Sequence, residues 1–126
     1  MLDDNSNWVE WGKLVVKWAE QPNTRPTSVE DLNNQMAAAG VAASFSTETF
    51  KYLHLCQAHD DKTLQIFLPT AASVARRRQE LALPGGWKVP IYYQELAGIA
   101  AFNVAPEKKE DFMYCRIGEY SIGQCG

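Results

Sequence analysis

Between Asn5 and Glu20 apolar residues return at helical spacing, with Trp8, Trp11, Val15 and Trp18 along one stripe. Val9, Leu14, Val16 and Ala19 widen that stripe past half of the circumference, leaving Glu10, Lys13, Lys17 and Glu20 as a polar strip. A helix this apolar has to be covered on two sides, by the rest of the domain or by a second copy. The breadth of the face predicts a homo-oligomer joined through this helix.

After the two-proline loop Gln21 to Pro26, Thr27 with Glu30 three residues on reads as a capping box. Val29, Leu32, Met36 and Ala39 then form a narrow stripe that Gly40 ends, with Val41 beyond it as in a Schellman motif. Ser46 opens a third helix, with Phe45 and Phe50 as its hydrophobic staple. The period carries this helix to about Ala58, with Phe50, Leu53 and Cys56 inward and a polar turn at His59-Asp60-Asp61.

From Lys62 the pattern changes. Leu64 to Leu68 is a short apolar run closed by Pro69, which suits a buried strand. Thr70 and the helix formers Ala71 to Leu83 predict a helix that Pro84-Gly85-Gly86 stops, and Trp87 to Tyr93 reads as a strand. Pro90 has no N–H to give a ladder, which puts that strand at an edge or a bulge. Gly98 to Ala105 and Asp111 to Ile117 read as a hairpin around the charged turn Pro106 to Glu110, with Met113, Cys115 and Ile117 on one side and Phe112, Tyr114 and Arg116 on the other. The glycine-containing tail from Gly118 is a weak edge strand or partly mobile.

These elements predict a single α+β domain over residues 1–126, its N-terminal helices packed on a small, mainly antiparallel C-terminal sheet with one strand-helix-strand unit. The expected core is Trp11, Val15, Trp18, Leu32, Met36, Phe50, Leu53, Ile66, Leu68, Val74, Leu81 and Ile91.

Composition narrows the function classes. With 126 residues, 46% hydrophobic and 21% charged, the chain can bury a core without staples. A net charge of −3 supplies no general attraction to nucleic acid or anionic membranes. No apolar run approaches the roughly 20 residues of a membrane helix, and Met1-Leu2-Asp3-Asp4 is acidic where a signal peptide is basic. A cytoplasmic protein that does not engage membrane is expected, with Cys56, Cys115 and Cys125 reduced.

Arg76-Arg77-Arg78 is the concentrated basic feature; on a helix Arg78 falls in the buried stripe and needs an acidic partner, water, or an anionic ligand to anchor. His54, Cys56, His59, Asp60 and Asp61 are metal-ligand types, but helical spacing separates His54 from Cys56 and no paired-ligand motif occurs. The same separation speaks against a cysteine–histidine nucleophile. Glu95 after Tyr92 and Tyr93 could bring a carboxylate and a phenol to the lip of a pocket. Gly85-Gly86 is a turn rather than a phosphate loop, since no Gly-rich phosphate motif surrounds it. Three helices followed by strands invite a winged-helix reading, but Gly40 to Ser46 is long for the turn and the third helix is poor in basic residues.

The sequence thus favours a noncatalytic binding or interaction module for a small molecule or a protein partner. Its predicted ligand-binding residues are Arg78, Trp87, Tyr92, Tyr93 and Glu95, meeting where the third helix, the Pro84 to Trp87 turn and the edge strand come together. No metal and no cofactor is expected, and nucleic acid is disfavoured. The alternatives are a winged-helix nucleic-acid-binding protein and a small enzyme using a carboxylate–tyrosine acid–base pair.

Overall fold

The computed structural model describes residues 4–41, 44–59, 62–67, 76–93 and 109–120, with 4–7, 76–79, 90–93 and 109 described by their backbone alone. Helices α1 (Asp4–Glu20), α2 (Val29–Ala39) and α3 (Thr47–Lys51) precede strands β1 (His54–Ala58), β2 (Leu64–Phe67), β3 (Arg76–Ala82), β4 (Lys88–Tyr93) and β5 (Phe112–Arg116). The strands form an antiparallel sheet of order β2-β1-β5 and an antiparallel ribbon β3-β4. The architecture is α+β. Among the described residues no helix is long and apolar enough to cross a membrane.

The heavy apolar face of α1 is covered within one chain. Trp11, Val15 and Trp18 are fully buried, and Trp8 and Leu14 nearly so. Trp11 meets Trp18 edge-on at 5.7 Å and Phe45 at 5.9 Å. The indole N–H of Trp18 donates to Gln35 Oε1 on α2 at 2.9 Å, so its one polar atom is satisfied inside the core. On another side Gly12 lets the ribbon come close: a Cβ there would stand 3.1 Å from Leu83 Cδ1, 3.4 Å from Leu81 Cδ1 and 3.8 Å from Val89 Cβ. With the tryptophans covered this way, α1 no longer supplies a reason for self-association.

The start of α2 is shifted by one residue from the expected box. Ser28 is the N-cap and accepts from Asp31 N at 3.0 Å, while the Asp31 carboxylate accepts from Thr27 N at 3.1 Å. Either Thr27 or Ser28 could cap. Asp31 decides, because its short carboxylate reaches back to the preceding amide. The end is as expected: Gly40 is left-handed at φ 85°, and Val41 N donates to Met36 O at 2.9 Å. Ser46 caps α3 through Thr49 N at 3.1 Å, with Phe45 and Phe50 both buried.

The third helix does not continue to Ala58. It stops at Lys51, and His54–Ala58 is the central strand of the three-stranded sheet. His-Leu-Cys-Gln-Ala has no β-branched residue, so local preference did not signal a strand; hydrogen bonding to β2 on one side and β5 on the other overrides it. Leu55 faces the helices while Cys56 packs with Phe67, Phe112 and Tyr114, so both faces of β1 are covered. Burial at Phe50, Leu53 and Cys56 is as expected, but Phe50 lies on the short α3, Leu53 between α3 and β1, and Cys56 on a strand covered on both faces.

The strand-helix-strand unit also needs correction, since Arg76–Ala82 is a strand rather than part of a helix. Its residues are good helix formers. Pairing with β4 across the Pro84-Gly85-Gly86 turn wins, with Leu83 N donating to Trp87 O at 2.8 Å and Gly85 and Gly86 both left-handed at φ 87° and 83°. The flanking strands Leu64–Phe67 and Lys88–Tyr93 stand where they were expected.

Sheet and ribbon meet at one seam. Lys88 N donates to Lys62 O at 2.8 Å, and Thr63 pairs with Lys88 in a single parallel bridge. Two residues on, the next donor along that edge of β4 would be Pro90, which has none.

Strand β5 alternates as expected: Cys115 and Ile117 pack on the main core and Phe112 and Tyr114 on the smaller cluster, while Met113 is 46% exposed. Its described partner is β1; the expected hairpin partner Gly98 to Ala105 lies outside the described residues. So do Leu68 and Val74 of the expected core. After β5 the chain returns along α3, with Ile117 N and Gly118 N donating to Leu53 O and Tyr120 N to Lys51 O.

Gly118 is buried here because a side chain would run into the Phe50 and Lys51 carbonyls. Gly118→Ala is therefore expected to cost about 2–3 kcal/mol, the scale of overpacking against atoms that cannot turn away. Gly12→Ala is crowded by the ends of leucine side chains and stands at ordinary contact distance from Val89, and it recovers up to about 1 kcal/mol of helix propensity, so it should stay within about 1 kcal/mol of wild type. Urea unfolding midpoints of the two variants check both.

Candidate functional site

Four of the five residues singled out from the sequence belong to the β3–β4 hairpin; Glu95 lies outside the described residues. The hairpin has two chemically different ends. At the turn end, Trp87 is 8% exposed and its indole N–H donates to Glu20 Oε2 at 3.0 Å. The Lys62 ammonium sits 5.2 Å from the indole ring centre and donates to Gly85 O at 2.8 Å. Trp87 therefore fastens the turn to the end of α1 and to the chain entering β2. Its face is occupied by the protein itself.

The other end carries the arginines and tyrosines. The register sets Arg76 opposite Tyr93 and Arg77 opposite Tyr92, then shifts, with Gln79 opposite Ile91. Arg78 is the extra residue of this bulge, a feature that bends a strand and raises its local twist. Three guanidinium-bearing residues and two phenol-bearing ones are thus brought to one short length of ribbon. Trp87 is not with them: five residues separate it from Tyr92, about 17 Å at the rise of a strand.

The histidine and cysteine cluster also changes geometry. As alternate residues of β1, His54 and Cys56 share a face, where a helix would have separated them. The His54 ring is packed edge-on to Phe67 and Tyr114, and its Nδ1 is 3.0 Å from Tyr52 O. Because a carbonyl only accepts, Nδ1 carries the proton in that contact. Cys56 is fully buried, its sulfur 4.0 Å from the His54 carbonyl oxygen. Neither arrangement presents a nucleophile beside a base. Among the described residues no group of three or more His, Cys, Asp or Glu side chains could hold a metal ion.

Two further surface features lay outside the sequence-based expectation. An open groove of about 310 Å³ runs between α1 and α2, lined by Glu10, Lys13, Leu14, Lys17, Gln35, Ala38 and Ala39. The run Ala37-Ala38-Ala39, longer than the stripe of α2 needs, was its one visible signal. Elsewhere Tyr52 and Tyr120 stack at 5.5 Å, and Lys51 lies over Tyr120. Glu48, 3.4 Å from Lys51, holds that ammonium above its usual pKa by charge and hydrogen bonding, with Tyr120 adding to it. This patch satisfies its own charges.

Compared with protein-family models, curated proteins and solved structures, the chain matches none of them.

If Trp87 is a fastening residue, Trp87→Ala should cost about 3–5 kcal/mol, the range for truncating a buried large aromatic. Trp87→Phe, which keeps the ring but loses the bond to Glu20, should cost about 1 kcal/mol. Thermal and urea unfolding of both variants check the assignment.

Proposed function

We propose that the protein is a noncatalytic binding module whose recognition surface is the arginine–tyrosine end of the β3–β4 ribbon, and that it takes an acidic segment of a protein partner. The observation that carries this reading is the register, which sets Arg76 and Arg77 across from Tyr93 and Tyr92 with Arg78 in the bulge that follows. Arginine forks match carboxylates in paired, charge-assisted hydrogen bonds. Tyrosine adds rigid contact area at small entropy cost, which is why the two types recur together at binding hot spots.

Charge favours a protein partner over a nucleic acid. On a chain of net charge −3 the arginines are a local reversal of sign, enough for a few carboxylates but set in a field that repels a long polyanion. A catalytic reading draws less support, because among the described residues the buried histidine and cysteine are packed into the fold and no cleft aligns a base with a nucleophile. A cytoplasmic setting belongs to the same proposal, supported by the free thiols of Cys56 and Cys115.

A fluorescein-labelled peptide of about ten residues, alternating glutamate and leucine, is the direct probe; a random duplex DNA is the comparison. The expected result is peptide binding that weakens with salt and falls at least about tenfold, or about 1.4 kcal/mol, in Arg76→Glu/Arg77→Glu with unfolding unchanged. Binding of the duplex but not the peptide would move the protein to the nucleic-acid class. Peptide binding indifferent to both arginines would remove the ribbon as the site.

A further inference from the structure

The groove between α1 and α2 is built from side chains that the ribbon does not involve. Its floor is Leu14 with Ala38 and Ala39, and one wall is the row Glu10, Lys13 and Lys17 on α1. Gln35 closes one side and is fully committed, its carbonyl to the Trp18 indole and its amide to Thr24 O at 3.0 Å. Groove and core are therefore coupled through one rigid residue. The trough keeps its shape without an occupant.

We infer that this groove seats an amphipathic helix of a protein partner. Two helices side by side leave a channel in which a third helix can lay its ridges, and methyl-sized residues on the floor let its backbone approach closely. An open trough suits a partner helix better than a small molecule, which needs to be enclosed over most of its surface. The wall specifies the partner's charges. Glu10, Lys13 and Lys17 follow one another at i+3 and i+4, so negative, positive and positive charges recur once per turn along the groove. Glu10 and Lys13 already pair at 3.3 Å, but both are exposed enough that the pair is weak and exchanges readily for a partner's groups. Lys17 has no ion pair among the described residues and sits a turn further on. The matching helix carries acidic residues one turn apart facing the lysines, a basic residue facing Glu10, and an apolar side chain between them for the Leu14–Ala38 floor.

The test is a displayed library of helix-favouring peptides of about 14 residues, four turns long, selected against the full chain. Ala38→Arg, at an exposed position, fills the floor, and Lys13→Glu/Lys17→Glu reverses the wall. The inference expects selected peptides with acids at i and i+4 beside an apolar anchor, at least about tenfold weaker on Ala38→Arg, with selection on the reversed wall returning bases in the same places. Circular dichroism and thermal unfolding establish that both variants are folded. Failure to select any helix, peptides indifferent to Ala38→Arg, or a charge preference that does not invert would each overturn it. Peptides whose binding depends on Arg76 and Arg77 instead would also overturn it while leaving the ribbon reading intact.

Discussion

The burial of α1 from two sides is the constraint that the rest of the molecule meets. Trp11, Val15 and Trp18 have no exposed surface, and one neighbour cannot cover a face that wide. The α2 helix and Phe45 close one side, and the sheet and ribbon close another. Each closure has its own local device: Trp18 hydrogen-bonded to Gln35 on the helical side, and Gly12 beneath Leu81, Leu83 and Val89 on the ribbon side. A side chain at position 12 larger than alanine would hold the ribbon away and uncover the tryptophans it protects. The apolar excess of α1 suits a helix placed between two layers of the same chain.

Legibility in the sequence followed how local the deciding interaction is. Helix starts and stops at Ser46 and Gly40 could be read because a cap is made with residues three to five positions away. Strands β2 and β4 could be read because their side chains favour the pleat. Strands β1 and β3 could not, because His-Leu-Cys-Gln-Ala and Arg-Arg-Arg-Gln-Glu-Leu-Ala prefer helix or nothing, and pairing with β2, β5 and β4 makes them extended. Leu53 and Cys56 add a coincidence. A spacing of three suits a helical stripe, while here Leu53 lies between α3 and β1 in the main core and Cys56 is buried from β1 in the smaller cluster.

The same misreading governs how the candidate site was seen. On a helix, Arg76, Arg77 and Arg78 point apart and only Arg78 invites a ligand. On a two-stranded ribbon Arg76 and Arg77 become consecutive rungs opposite Tyr93 and Tyr92, seventeen and fifteen residues away in the chain, with Arg78 in the bulge beyond them. Trp87 moved the other way. Read as an exposed aromatic beside a glycine turn, it is committed to Glu20 and Lys62, contacts that no spacing argument from the hairpin alone could supply.

At its turn end the ribbon is tied to the body by Gly12 against Leu81, Leu83 and Val89, the Lys88–Lys62 bond, and Trp87 between Glu20 and Lys62. Pro90 then interrupts the edge that could have continued pairing with β2, and beyond it come Tyr92 and Tyr93 with the arginines across from them. A chain that extended the seam past position 90 would draw those rungs into the sheet. The segment beyond position 90 is paired in register with its partner strand, Tyr92 with Arg77 and Tyr93 with Arg76. Proline at position 90 thus marks where the described seam between sheet and ribbon ends.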